Sequence, residues 1–288
     1  MQRTIRLIGA ASGLGAQDAG CKDGPAAFHH SLSWRELARH PGVEWGRTLY
    51  ASDDPGHTPA TRIAGLCRHL ADEVEQALLA DEFPVVIGGD HSVAVGTWSG
   101  VARQAGARIG LLWIDAHLDS HTLETSYSGA IHGMPLAFLL GRGDKRLLEL
   151  GLPGGQVLPA HTVVFGARSF EPEEAAFLES MQVRVIGQAE IERRGFQAAF
   201  AEAVSIVAGA PAGFGISLDL DALDPATAPG VGTPEPDGLE AGEVLSGLHR
   251  LARGSGLRGL EIVEYNPDRD RHGLTARLIG ALIGVVLA

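Results

Sequence analysis

The sequence predicts an α/β fold: a three-layer α/β/α domain around a parallel, roughly eight-stranded sheet. Two observations carry this. Short aliphatic or β-branched runs alternate with longer helical segments along the whole chain, as they do where helices cover both faces of a parallel sheet. In addition, three of the runs end in the same kind of polar group. Val85-Val86-Ile87 leads into Gly88-Gly89-Asp90-His91-Ser92, Ile109 to Ile114 into Asp115-Ala116-His117-Leu118-Asp119, and Ile216-Ser217-Leu218 into Asp219-Leu220-Asp221. The strands of a parallel sheet all finish at one edge, where ligands bind, so three distant segments are expected to meet there.

Taken in order, Thr4 to Gly9 is the first expected strand and Pro25 to Arg39 the first helix, its proline placed where a first turn tolerates it. Strand Val43 to Leu49, helix Thr58 to Ala80, strand Val85 to Gly88 and helix Val93 to Gln104 follow. Next come strand Ala107 to Ile114, helix His132 to Leu140, strand Thr162 to Gly166, helix Pro172 to Met181 and strand Val183 to Ile186. Helix Phe196 to Ala208, strand Phe214 to Leu218, helix Glu240 to Ala252, strand Leu257 to Val263 and helix Thr275 to Val286 complete the series. No repeat, charge block or low-complexity linker interrupts it, and Gly151 to Gly155 reads as a loop. A single domain over residues 1–288 is expected.

With 23 Lys+Arg against 35 Asp+Glu, the net charge of −12 argues against a nucleic-acid backbone as partner. Cys21 and Cys67 are too few for a disulfide framework and lie in no C-x-x-C pair, which fits a reducing cytoplasm and structural roles for both. Arg3 and Arg6 precede an apolar run that is short and broken by Gly9, so no signal peptide is expected. The apolar stretch from Leu278 to Ala288 is too short to span a bilayer and reads as a buried helix. No membrane partner is expected.

The Asp115-x-His117-x-Asp119 step carries the chemistry. In extended backbone, period-two spacing puts all three side chains on one face. Buried together, they repel one another unless a cation sits between them. With His91, Asp219 and Asp221 they make four carboxylates and two imidazoles, an oxygen-rich set that suits two divalent ions, manganese before thiolate-seeking metals. One zinc would need only three or four of them. Taken alone, His91 reads as a turn or core histidine, and Asp219-x-Asp221 as a cap on the turn before Asp224-Pro225. Their joint occurrence at strand ends favours the metal. There is no phosphate-binding G-x-x-x-x-G-K-[ST] loop, and Gly13-x-Gly15 lacks the spacing of a dinucleotide fingerprint.

At these residues the chain resembles the ureohydrolases, and among them the arginases. Gly88-Gly89-Asp90-His91-Ser92, Asp115-Ala116-His117-x-Asp119 and Ser217-x-Asp219-x-Asp221-x-x-Asp224-Pro225 are similar to that family's three metal signatures, in order. The likeness continues through Ser128-Gly129-Ala130-Ile131-His132-Gly133-Met134-Pro135, Gly166-Ala167-Arg168, Gly232-Thr233-Pro234 and Glu261 to Pro267. It implies two Mn²⁺ per chain on His91, Asp115, His117, Asp119, Asp219 and Asp221, and hydrolysis of a guanidino group to urea and an amine. Metal ions so placed lower the pKa of a water that attacks the guanidinium carbon. By the same resemblance Asp119 passes a proton across, His132 is general acid and proton shuttle, and Glu264 receives the substrate guanidinium through paired hydrogen bonds. A homo-oligomer, trimer or hexamer, is also implied.

The far end of the substrate is where the pattern departs. An arginase-like loop carries Asn where this chain has His121, keeps hydroxyls at Ser126 and Ser128, and carries a second Asn where this chain has Ala130. Those positions are expected to meet the α-carboxylate of arginine. Glu171, in place of a shorter Asp, and Glu174 are expected to meet the α-ammonium, while Glu173 only favours the helix dipole. Gln17-Asp18 stand either at the pocket mouth or in a turn. The expected small-molecule substrate is L-arginine, with agmatine, guanidinobutyrate or another guanidino acid as the rival. Formiminoglutamate hydrolysis, a zinc deacetylase and a non-catalytic metal-binding member are further alternatives, each served less well by His132-Gly133 and the six-ligand set.

Overall fold

The computed structural model describes residues 3–252 and 256–287. Its eight strands are β1 (Ile5–Ala11), β2 (Val43–Tyr50), β3 (Phe83–Gly88), β4 (Ile109–Ile114), β5 (Val157–Phe165), β6 (Arg184–Ile186), β7 (Phe214–Asp219) and β8 (Leu257–Val263). They form one sheet in the order β2-β1-β3-β8-β7-β4-β5-β6, every pair parallel. The expected fold class is the observed one.

Burial follows position in the sheet. Strands β3, β4 and β7 are buried along their whole length, whereas edge strands β2 and β6 are partly open. This is why the central runs read as unbroken aliphatics: a parallel strand covered on both faces has no polar side to alternate with. One large apolar cluster lies on each face, with Phe165, Ile216 and Ile262 in one and Trp98, Trp113 and Val164 in the other.

Local chemistry sets the helix ends. Thr58 accepts from Thr61 N at 3.3 Å to cap the helix Pro59–Leu79, and Gly106, at φ +61°, closes Ala94–Ala105. The expected helix Pro25 to Arg39 is instead two, Gly24–His30 and Leu32–Leu37. Ser31 is extended (ψ 163°), and its hydroxyl caps the second helix through Trp34 N at 3.1 Å. The expected helix His132 to Leu140 is a single 3₁₀ turn, Ile131–Gly133, followed by Pro135–Leu139. Pro135 has no N–H with which to continue a helix through it, so a new one starts there. Two short helices, Lys145–Leu148 and Gln188–Arg194, have no counterpart in the sequence-based series. The C-terminal helix runs over Leu274–Leu287 and buries Leu278, Ile279, Leu282 and Ile283. Among the described residues no helix is long and apolar enough to cross a membrane.

Candidate metal centre and substrate cavity

The strand order brings β3, β8, β7 and β4 side by side, and their C-terminal ends align: Ile87 pairs with Ile262, Ile262 with Leu218, and Leu218 with Ile114. Each of these strands then releases its polar residues at one level of one edge. His91 follows β3, Glu264 follows β8, Asp219 ends β7, and Asp115 follows β4. Asp119 and Glu264 take left-handed backbone, at φ +48° and +64°. Side chains rarely adopt it without local compulsion, and such residues concentrate at functional sites.

His91 Nδ1 lies 3.2 Å from Asp115 Oδ2, 3.0 Å from Asp119 Oδ2 and 3.1 Å from Asp219 Oδ2. It is fully buried and has no hydrogen-bond partner. On the other side of the ring, Nε2 is 2.9 Å from Ser217 Oγ, which donates to Glu261 Oε2 at 2.6 Å. The hydroxyl proton is therefore spent on Glu261, so Nε2 is the N–H and Nδ1 presents a lone pair. A lone pair and three carboxylate oxygens aimed at one another fit a cation. His117 Nδ1 forms a second such group, 3.4 Å from Asp115 Oδ1 and 3.2 Å from Asp221 Oδ2. Asp115 belongs to both groups, one oxygen to each, as a pair of bridged ions would require.

The electrostatics agree. Burial, then the neighbouring acids, pushes the Asp219 carboxyl well up, and burial followed by the charge of Asp115 pushes Asp119 to about 6. Burial also raises Asp221. At His91 burial opposes the charged form, but the closeness of Asp115, Asp119 and Asp219 favours it and raises the imidazole in the absence of metal. Burial opposes charge at Asp115 as well, where His117 and His91 nevertheless hold the carboxyl low. The raised acids repel one another, a repulsion that divalent cations would relieve.

The turns themselves are built by the same acids. Asp115 Oδ1 accepts from His117 N at 2.7 Å and Asp219 Oδ1 from Asp221 N at 2.9 Å. The turn-capping reading of Asp219-x-Asp221 is thus correct for one oxygen, and leaves the other to face His91. Supporting residues that sequence reasoning passed over surround the cluster. Trp113 stacks on His91 at 4.0 Å and 6° and donates to Asp115 Oδ2 at 2.8 Å, Thr233 donates to Asp221 Oδ2 at 3.0 Å, and Ser217 and Glu261 orient His91. A signal was present for Ser217 and Trp113. Each stands two residues before a strand-end Asp, on the same face.

A cavity opens over the cluster, lined by His117, Asp119, Asp219 and Asp221 at its floor and by His121, Ser126, Ser128, His132, Glu171 and Glu174 above. His132 Nδ1 is 3.1 Å from Glu264 Oε1. Burial works against the imidazolium there, yet the Glu264 carboxylate raises it to about 9. Glu264 does not line this cavity. It is buried, accepting from His91 N at 2.8 Å and from Cys21 Sγ at 3.1 Å as well as facing His132, and it borders an adjoining cavity with Gln17, Asp18 and Arg269. Both Glu264 oxygens already have protein partners, Oε2 keeping a lone pair to accept more, and the carboxylate reaches the adjoining cavity that shares Ser128, Ala130, His132 and Thr233 with the first.

At the outer end, Ser126 Oγ accepts from Gly129 N and Ser128 Oγ from Ala130 N, leaving both hydroxyl protons to donate. His121 and the acids, expected to read opposite groups of the substrate, also touch each other, His121 Nε2 lying 3.1 Å from Glu171 Oε2 and 3.5 Å from Glu174 Oε2. Burial raises Glu174 to about 8. Glu173 does more than favour a dipole, because Tyr127 Oη donates to it at 2.7 Å. Asp18 is both turn and rim: it caps a 3₁₀ turn through Gly20 N and pairs with Arg269 at 2.8 Å.

Comparison with known proteins bears on the whole of this arrangement. The Arginase family model matches residues 3–288. An arginase of Bacillus caldovelox is 35% identical over 291 residues, covering 98% of this chain and 97% of that one. The crystal structure of arginase from Bacillus cereus matches with a TM-score of 0.92 at 34% identity over 99% of both chains. The proclavaminate amidino hydrolase of Streptomyces clavuligerus matches with a TM-score of 0.77 at 26% identity, over 99% of this chain and 91% of that one. Sheet order, the acid–imidazole cluster at its edge and end-to-end similarity thus lead to one conclusion: this chain belongs to the arginase family.

Proposed function

We propose that this hydrolase of linear amidines converts L-arginine and water to L-ornithine and urea, with two Mn²⁺ held by His91, Asp115, His117, Asp119, Asp219 and Asp221. The observation that supports it best is the unpartnered Nδ1 of His91 facing three carboxylate oxygens beneath a cavity whose far end holds Glu171 and Glu174. The oxygen-rich donor set suits manganese. When bound, the metal pair supplies the charge that lowers the pKa of a water enough to make a nucleophile at neutral pH.

The chain's own residues do the rest. Asp119, at the floor of the cavity, takes a proton from the attacking side. His132 is kept charged by Glu264 and gives a proton to the departing amine nitrogen. Without that proton the amine is a poor leaving group. Glu171 and Glu174 draw the α-ammonium of the substrate, while the free hydroxyl protons of Ser126 and Ser128, with His121, meet its carboxylate. On the family resemblance we place the protein in the cytoplasm as a homo-oligomer, a trimer or hexamer, which sedimentation velocity tests.

The decisive assay offers Mn²⁺-loaded protein L-arginine, agmatine and 4-guanidinobutyrate separately and measures urea. We expect arginine to be preferred, since it alone has both charged groups at the far end. Faster urea release from agmatine or guanidinobutyrate would keep the chemistry and overturn the substrate.

A further inference from the structure

We propose that His121, Glu171 and Glu174 form a third metal site, separate from the candidate binuclear cluster, which takes one zinc-class cation at the outer end of the cavity. The distances from His121 to both carboxylates are close to those such an ion requires. His121 Nε2 is 3.1 Å from Glu171 Oε2 and 3.5 Å from Glu174 Oε2, and one ligand atom from each residue lies within 4.8 Å of the others. Ligands about 2.0–2.2 Å from a tetrahedral ion are roughly 3.3–3.6 Å apart along each edge. Little movement is needed to admit the ion.

The supporting shell is also in place. His121 Nδ1 is 3.0 Å from Thr125 Oγ1, so an Nδ1–H given to the hydroxyl leaves Nε2 with a lone pair for the metal. Glu174 is anchored through its other oxygen, which accepts from Ser120 N at 3.1 Å. Its Oε2 accepts from Glu171 N at 3.1 Å and retains a second lone pair. Glu171 and Glu174 bracket the first turn of the helix Pro172–Ser180, so their backbones are fixed relative to each other. Three protein ligands facing a cavity leave a fourth position for water.

One imidazole and two carboxylates distinguish this group from the candidate manganese cluster, with which it shares no residue. Such a set binds divalent zinc, nickel or copper more tightly than manganese, following the general affinity order of these ions. A cation here neutralises the acids that draw the substrate ammonium and obstructs the far end. Zinc therefore inhibits in competition with arginine. That consequence rests on the arginine reading; the binding itself does not.

The test loads the protein with Mn²⁺, adds one equivalent of Zn²⁺, counts both metals after dialysis, and locates zinc by anomalous scattering in crystals. The expected result is one zinc per chain beside His121 with manganese retained, and at least a tenfold loss of zinc affinity in both His121→Asn and Glu171→Gln. Glu171 is half exposed, so its variant guards against a folding defect in the other. Zinc uptake that is unchanged in both variants, or that occurs only as manganese is lost, overturns the proposal. In the urea assay zinc is expected to raise KM for arginine with kcat unchanged, and an unaltered KM with zinc bound at His121 overturns the competition. If another guanidino compound proves to be the substrate, the arginine reading fails while the metal count still decides the site.

Discussion

Ser217 stands between His91 and Glu261, and its one hydroxyl proton decides which imidazole nitrogen is free for a metal. Replacing it with alanine leaves the His91 Nε2–H without its acceptor in a site closed to water. We expect Ser217→Ala to weaken Mn²⁺ binding by about 10- to 100-fold, the usual cost of removing a partner that orients a ligating histidine. Equilibrium dialysis measures this directly, and a change below about threefold would mean that Trp113 stacking alone orients the ring. The ligand types were legible because each strand-end acid has a period-two spacing. Which nitrogen of His91 is free was not, because Ser217 and Glu261 are 44 residues apart in the chain.

Helices Pro59–Leu79 and Ala94–Ala105 pack closely because glycines of the second meet backbone of the first. A Cβ at Gly100 would lie 2.5 Å from Ala71 O, and one at Gly96 2.7 Å from Cys67 O. Alanine at an ordinary helix position stabilises by about 1 kcal/mol relative to glycine. Here the steric cost of roughly 1–3 kcal/mol wins, because the obstacle is backbone and cannot swing aside. Gly100→Ala is therefore expected to lower stability in urea denaturation, and a stabilised variant would show that the helices are free to separate. The second helix follows the His91 turn directly, so their spacing also positions that ligand. Among the helices, the breaks at Ser31 and Pro135 were within reach of the sequence. Ser is a common N-cap and Pro135 a common first-turn residue, but apolar periodicity running across both hid the breaks.

Across the whole molecule, the edge cluster makes metal binding depend on pH. Burial and mutual repulsion raise Asp119 to about 6 and raise Asp219 and Asp221 as well, so protons compete with Mn²⁺ for these carboxylates. The sign follows: as pH falls through these raised values, protons compete more strongly, so affinity is lost toward acid and gained toward neutrality. From pH 5.5 to 7.5 the apparent affinity is expected to rise by up to about tenfold per unit for each proton displaced. Calorimetry in buffers of different ionisation enthalpy reports the proton count, and affinity flat across this range would show the acids already ionised. The net charge of −12 adds a general attraction for cations without choosing a site.

The sequence by itself determined that this is a parallel α/β protein with acids and imidazoles at strand ends, because burial on both faces demands continuous aliphatic runs and strand period writes ligand spacing into consecutive residues. It also located the outer-end residues, through the His121, Ser126, Ser128, Glu171 and Glu174 positions. Tertiary structure alone decided what each touches. The insertion of β8 between β3 and β7 carries Glu264 against His132, and the approach of the Pro172–Ser180 helix turns His121 onto Glu171 and Glu174. Contacts between residues 50 and 132 apart depend on strand order and helix packing, which arise from the summed burial of the whole core and leave no mark in any local stretch of sequence.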